Sequence, residues 1–280
     1  MSREEKEEDD IVCLDESFFI NDDYQITDFT FGSHVLQLYC LQSSSTDFDL
    51  TGQLVWPGAV LMNDYLTQNA NMLQGCSVIE LGSGVGITGV LCSRFCRGVV
   101  MTDHNDEVLK ILKKNIKLQE CSDDSMCCTE LKAEKLEWGS SDQLNCILQE
   151  HPEGFDLVLG ADIYILQANV PLLFDTVELL LRDRDQKKCK FILAYVSRAK
   201  VCPYLTAEVL ILRTVDMFSH FHFILDAFCS VSLNGHSLCS MDAMVINEAI
   251  RHGLQINEVS GTRRIIKNLE GVIFEITTNH

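Results

Sequence analysis

The stretch Val78-Ile-Glu-Leu-Gly-Ser-Gly-Val-Gly-Ile87 constrains this chain more than any other. An apolar run of strand length, Cys76 to Leu81, leads into it, and an apolar helical run, Ile87 to Phe95, leads out. Glycines 82, 84 and 86 have no Cβ, so the backbone can adopt dihedrals closed to other residues and a ligand can approach closely. A strand, a glycine turn and a helix in succession belong to α/β folds, whose ligands sit at the carboxyl ends of the strands.

The spacing narrows the ligand. A dinucleotide loop requires G-x-G-x-x-G, which lays a pyrophosphate on the helix N-terminus. Here the third glycine comes one residue early, position 87 is Ile, and Glu80 is a poor neighbour for phosphate. E-x-G-x-G-x-G suits instead a cofactor without phosphate whose amino-acid end is cationic, and S-adenosylmethionine (AdoMet) fits that description. Asp103 closes Val99-Val-Met-Thr-Asp, 19 residues after Gly84, where a ribose-binding carboxylate is expected at the end of the second strand. The other reading of Asp103 is an N-cap for the helix that follows.

The rest of the chain extends the same alternation. Tyr24–Phe31 and His34–Leu41, separated by Gly32-Ser33, read as a β-hairpin, and Thr51-Gly-Gln-Leu-Val-Trp-Pro-Gly58 opens a helix-like stretch through Leu66. Strands are expected at 76–81, 98–102, 127–136, 155–160, 190–196, 254–259 and 271–277. Helices are expected at 87–95, across Val108–Ile116, at 170–181 and at 241–252. This is an α/β, Rossmann-like, seven-stranded, mostly parallel sheet with an N-terminal β-hairpin extension. Residues 1–16, with eight acids and two bases, read as an acidic disordered tail, and 17–280 as a single domain.

Charge and cysteine usage exclude whole classes of function. A net charge of −19, from 22 basic and 41 acidic residues, opposes binding to nucleic-acid phosphate and suits a basic partner. Thirteen scattered cysteines with no C-x-x-C pair read as free thiols of a reducing compartment. Only Cys127-Cys128 suggests a metal half-site, and it lacks a second pair at ligand spacing, so no metal is expected. Neither a signal peptide nor a membrane span is legible, and the expected location is the cytoplasm or nucleus.

Six segments, in order, resemble the seven-β-strand methyltransferases of family 16. They are Trp56-Pro-Gly-Ala59, Glu80-Leu-Gly-Ser-Gly-Val-Gly86, Thr102-Asp103, Leu136-Glu-Trp-Gly139, Gly160-Ala-Asp162 and Leu193-Ala-Tyr-Val-Ser-Arg198. The resemblance implies a class I methyltransferase fold and AdoMet-dependent methylation of a lysine side chain in a non-histone protein; a monomer is expected. It places Trp56, Gly82, Ser83, Gly84, Asp103, Trp138 and Ala161 around AdoMet, joined by Glu80 and Gly86 of the same loop. Asp162 and Tyr164 would face the substrate amine, although the family's D-x-x-Y reads Asp162-Ile-Tyr-Ile165 here, with the aromatic one residue early. Two other readings stay open: methylation of a small molecule or another protein atom, and a noncatalytic AdoMet-binding scaffold.

Val201 to Cys239 departs from the pattern. Its 39 residues carry only Glu208, Arg213, Asp216 and Asp226 as charges, with the run Phe218-Ser-His-Phe-His-Phe-Ile-Leu225 at its centre. Such composition is what a translated thymine-rich intron yields; the alternative is a genuine insertion covering the substrate face.

Overall fold

The computed structural model describes residues 24–41, 52–120, 129–163, 169–182, 189–196, 240–266 and 269–279. Four sequence expectations lie outside the described residues: the tail 1–16, Cys127-Cys128, Tyr164 and the segment 201–239.

The chain opens with the hairpin, β1 (Gln25–Phe31) and β2 (His34–Cys40), paired antiparallel from Gln25↔Cys40 to Phe31↔His34. Helix α1 (Pro57–Gln68) follows, with Trp56 as its N-cap and Pro57 in the first turn, where a missing N–H costs nothing. Then come β3 (Ser77–Leu81), α2 (Ile87–Cys92), β4 (Gly98–Asp103) and α3 (Asp106–Glu120). The chain continues through β5 (Glu130–Lys135), α4 (Ser141–Glu150), β6 (Leu157–Ala161), α5 (Val170–Leu181) and β7 (Lys190–Val196). It ends with α6 (Ser240–Arg251), β8 (Leu254–Glu258), β9 (Arg264–Ile266) and β10 (Leu269–Thr278).

The main sheet runs β5-β4-β3-β6-β7-β10-β8, with β9 on β10. Neighbours from β5 to β7 are parallel, whereas β10 is antiparallel to both β7 and β8. The seven expected strands are therefore present, and β9 adds an eighth. Gly271 pairs with Val196 of β7 on one edge and with Arg264 of β9 on the other, so β9 occupies the edge of β10 ahead of Phe274, where pairing with β8 begins. Helix α4 is also additional, although Leu144, Ile147 and Leu148 already show its buried stripe.

Alternation along the strands divides the core in two. Ile79, Leu81, Phe191, Leu193 and Tyr195 face one side with buried residues of α4, α5 and α6. Val78, Ile192 and Ala194 face the other, against α1, α2, α3 and the hairpin residues Phe31, Leu36 and Leu38. The hairpin thus belongs to one helical layer. Because β4 and β6 flank β3 on opposite sides, the chain leaves β3's carboxyl end at a topological switch point, where a crevice opens. No helix among the described residues is long and apolar enough to cross a membrane.

The flanks of 197–239 meet. Tyr195 at the end of β7 donates its hydroxyl to Asp242 in the first turn of α6. Arg263 clamps that same carboxylate at 3.0 Å and reaches Glu258 and Glu270 besides. A chain in which Lys200 is joined directly to Ser240 needs only the residues 197–200 to bridge this gap, within reach at roughly 3.3–3.6 Å per residue. That shortened chain is expected to unfold cooperatively in a thermal melt, with its midpoint at or above the parent's. Loss of the cooperative transition would show that 201–239 carries part of the fold.

Candidate active site

The loop from Gly82 to Gly86 is built at positive φ: 64° at Gly82, 54° at Gly84 and 88° at Gly86. Space reinforces the requirement. A Cβ on Gly84 would come 2.7 Å from the Gly52 carbonyl oxygen, and one on Gly82 would come 2.6 Å from Ile163 Cγ2. A side chain at 84 therefore strikes the backbone of the neighbouring segment before it reaches any ligand. Gly86 has a different role: it caps α2, and a Cβ there would run into Leu112 Cδ1 and Met101 Sδ. Its missing side chain lets α2 pack close to β4 and α3, and it does not line the cavity.

Polar groups lock the loop to the strand ends. Ser83 N–H donates to the Thr102 carbonyl at 2.8 Å, and Thr102 N–H donates to Ser83 Oγ at 3.0 Å. Thr102 Oγ1 and Ser83 Oγ both donate to the Glu80 carbonyl, at 2.8 and 3.3 Å. Glu80 Oε2 accepts from Gly89 N–H of α2 at 3.1 Å. Asp103 accepts from Gly84 N–H at 3.2 Å and from Asn105 N–H at 3.1 Å. Asn105, not Asp103, caps α3, its side chain accepting from Glu107 and Val108 N–H. Asp103 is left to face the crevice.

The carboxyl ends of β3, β4 and β6 surround a cavity of about 260 Å³. Of the eleven residues expected from sequence, Trp56, Glu80, Gly82, Ser83, Gly84, Asp103, Trp138, Ala161 and Asp162 line it together. The Trp138 ring lies beside Gly82, and Gly139 N–H, donating to Thr176 Oγ1 at 2.9 Å, ties that loop to α5. Sequence reasoning missed His104, Val108 and Leu172, which also line the cavity. Adjacency to Asp103 could have marked His104, whereas Leu172 sits in an ordinary helical apolar pattern that gives no such sign.

Asp162 is the one non-glycine described at positive φ, 53°. One carboxylate oxygen accepts from Gly58 N–H of α1 at 2.7 Å and the other from Val196 N–H of β7 at 2.9 Å. Its own N–H donates to the Ala194 carbonyl at 2.8 Å. The side chain therefore joins the start of α1 to the end of β7 while bordering the cavity.

Electrostatically the cavity is one-sided. Glu80, Asp103, Glu137 and Asp162 line it, with no Lys or Arg among the described lining residues. Burial pushes Glu80 up to about 7, against the N–H of Gly89 and the hydroxyls of Ser83 and Thr88, with Asp103 adding repulsion. Burial likewise raises Asp103, opposed by N–H groups at Asn105, Gly84 and His104 and by the His104 ring. Such a wall disfavours phosphate and suits a ligand with a vicinal diol, a flat ring and positive charge. Asp103 presents a carboxylate on the cavity wall to accept from a hydroxyl, and Trp138 and Leu172 offer apolar surface to a ring. Among the described residues no group of three or more His, Cys, Asp or Glu converges as for a metal ion.

The Glu80 shift sets a pH dependence. The folded chain holds this proton more tightly than the unfolded chain, so stability falls as pH rises from about 4.5 to about 7 and stays lower above. The span corresponds to roughly 3 kcal/mol. Glu80→Gln, which keeps an acceptor for Gly89, is expected to be more stable than the parent at pH 8 and nearly equal to it at pH 4.5. Urea unfolding at the two pH values reads this difference; the same gap at both would assign it to packing.

Comparison with known proteins now adds to this geometry. Residues 38–202 match the lysine methyltransferase family. Mouse protein N-lysine methyltransferase METTL21A is 30% identical over 151 residues, 53% of this chain and 62% of that protein. Xenopus tropicalis EEF1A lysine methyltransferase 3 is 32% identical over 128 residues, 45% of this chain and 51% of its own length. The matched part is thus short of either relative's full length. The T. thermophilus 16S rRNA N2 G1207 methyltransferase, solved with AdoMet and guanosine, superposes with a TM-score of 0.50 at 12% identity. That superposition covers 91% of this chain and 51% of the other, and it speaks to fold alone. The family match runs from within β2 past the end of β7, taking in every strand end that walls the cavity, and the chain belongs to the lysine methyltransferase family.

Proposed function

We propose that this chain is an AdoMet-dependent methyltransferase that modifies a lysine side chain of a non-histone protein. The observation that carries the reading is the meeting of the glycine loop, Asp103 and Trp138 in one acidic cavity free of Lys and Arg among its described lining residues. Bound AdoMet supplies a methyl group on a sulfonium sulfur, open to in-line displacement by a neutral amine. The chain's own residues hold and orient the reactants. The backbone of Gly82 and Gly84 borders the amino-acid end, Asp103 takes the ribose hydroxyls, and Trp138 flanks the ring. Ser83 fixes the loop, while Trp56, Glu80 and Ala161 close the walls.

A lysine ammonium must lose its proton before it can attack, and a desolvated pocket favours the neutral amine. As positive charge builds on that nitrogen, preorganised acceptors stabilise it without solvent rearrangement. In this reading Asp162 is such an acceptor. Its two oxygens are aimed by Gly58 and Val196, so the carboxylate's orientation at the cavity wall is fixed before any substrate arrives. Tyr164 is assigned to the same side of the site from sequence alone. The acidic composition supports a basic protein substrate and argues against a nucleic acid. The described cysteines, Cys40, Cys76, Cys92, Cys96, Cys146 and Cys189, are free thiols, which supports the cytoplasm or nucleus.

Incubation with labelled AdoMet and proteins of a cell extract should place label in a protein band and yield methyl-lysine on hydrolysis. Label confined to small molecules would favour the second substrate class, and AdoMet binding without transfer would favour a scaffold. Asp162→Asn tolerates positive φ and keeps one acceptor. It is expected to bind AdoMet within a few-fold of the parent by calorimetry while losing about 10²-fold or more in transfer. Equal loss of both would move Asp162 into the cofactor site.

A further inference from the structure

We propose that Asn115 is a positioning residue through which the N-terminal hairpin sets the shape of the glycine loop, so that affinity for the cofactor depends on a strand outside the main sheet. The proposal rests on the AdoMet reading for its ligand and on geometry for everything else.

Asn115 lies on α3 and is fully buried. Its Oδ1 accepts from Tyr39 N–H at 2.7 Å, and its Nδ2 donates to the Tyr39 carbonyl at 3.0 Å. The side-chain amide thus pairs with β2 as a neighbouring strand residue would. The second Nδ2 hydrogen goes to the Val85 carbonyl at 2.9 Å, inside the glycine loop. Both donors are used, and one planar group ties hairpin, helix and loop together.

Two further contacts point the same way. The Val85 side chain is buried in a small apolar cluster with Cys40 of the hairpin and Ile111 of α3, flanked by Tyr24, Phe29, Tyr39 and Val55. Gly52, on the segment beyond the hairpin, abuts Gly84 so closely that a Cβ there would strike the Gly52 carbonyl. The middle of the loop is therefore gripped from outside the sheet by a carbonyl bond, an apolar socket and a backbone contact. Without that grip Val85 has flanking glycines on both sides, and the loop would sample many conformations, with cofactor binding bearing the cost of ordering them.

Asn115→Asp keeps the shape and the acceptor for Tyr39 N–H but loses both donors; Asn115→Ala loses all three bonds. A stability control is Leu144→Ala, in α4 across the sheet. Calorimetric titration of AdoMet should show both Asn115 variants weakened by about tenfold or more, as expected for lost preorganisation. In transfer assays KM for AdoMet should rise while kcat at saturating AdoMet stays within about twofold. Leu144→Ala should lower the melting temperature comparably and leave AdoMet affinity near the parent's. Hydrogen exchange without ligand supplies a readout independent of AdoMet: amides of residues 82–87 should exchange faster in Asn115→Asp than in the parent and in Leu144→Ala. Parental affinity in Asn115→Asp, or an equal affinity loss in Leu144→Ala, would overturn the proposal. If the parent itself fails to bind AdoMet, the cofactor reading fails, and unchanged exchange at 82–87 then overturns the role of Asn115 by itself.

Discussion

Between Leu81 and Ile87 the chain must turn over the end of a buried strand while leaving the space above it clear. Only a backbone at positive φ does this in so few residues, and three glycines supply it. The turn would be loose if left to itself. What fixes its first half is the reciprocal pairing of Ser83 with Thr102, which carries the hydrogen bonding of β3 and β4 beyond the regular ladder. Asp103, next in sequence to Thr102, then accepts from Gly84. The loop's shape and the placement of the carboxylate opposite it are consequently one arrangement, and neither could shift without the other.

That arrangement places two carboxyl groups in low-dielectric surroundings, and the raised titration of Glu80 and Asp103 records the cost. Evolution of a fold toward stability alone would replace Glu80 with an apolar residue, since β3 is otherwise buried throughout. Glu80 instead bonds the first turn of α2 and keeps the cavity wall acidic. The same wall attracts cations and repels phosphates, which is how one buried side chain helps to hold the loop and to select among ligands.

Much of this was legible in the sequence because it is written in local patterns. Buried strands such as Val158–Leu159 and Phe191–Val196 appear as short apolar runs, and the glycine spacing and the interval to Asp103 reflect turn and crossover geometry. What was not legible depends on long-range partners. Nothing near Asn115 in sequence announces that its amide meets Tyr39 and Val85, 76 and 30 residues away. Leu172 looks like any apolar helix residue until α5 is placed over the cavity. Spacing groups Gly86 with its neighbours, because it cannot separate a glycine that borders the cavity from one that makes room for Leu112. The short β9 pairs with the part of β10 that β8 does not reach, a matter of register that no local pattern contains.

Asp162 shows how far a motif position can be from its apparent task. An aspartate at the end of β6 looks, from sequence, like an acid presented to a substrate. In the fold it adopts a conformation that costs most residues roughly 1–2 kcal/mol, tolerated by Asp because its short side chain can bond nearby backbone. The bonds to Gly58 and Val196 offset that strain by satisfying two buried N–H groups at once. One of those N–H groups belongs to the first turn of α1, just after Trp56, and the other to the last residue of β7. Gly58 has no room for a side chain there, since a Cβ would lie 2.5 Å from the Asp162 carboxyl carbon. The glycine of Trp56-Pro-Gly-Ala59 and the aspartate of Gly160-Ala-Asp162 are therefore two halves of one contact, though 104 residues separate them. Any chemistry proposed for Asp162 takes place at a carboxylate whose orientation is already set by α1 and β7, so the wall around Trp56 and this carboxylate are positioned by the same pair of hydrogen bonds.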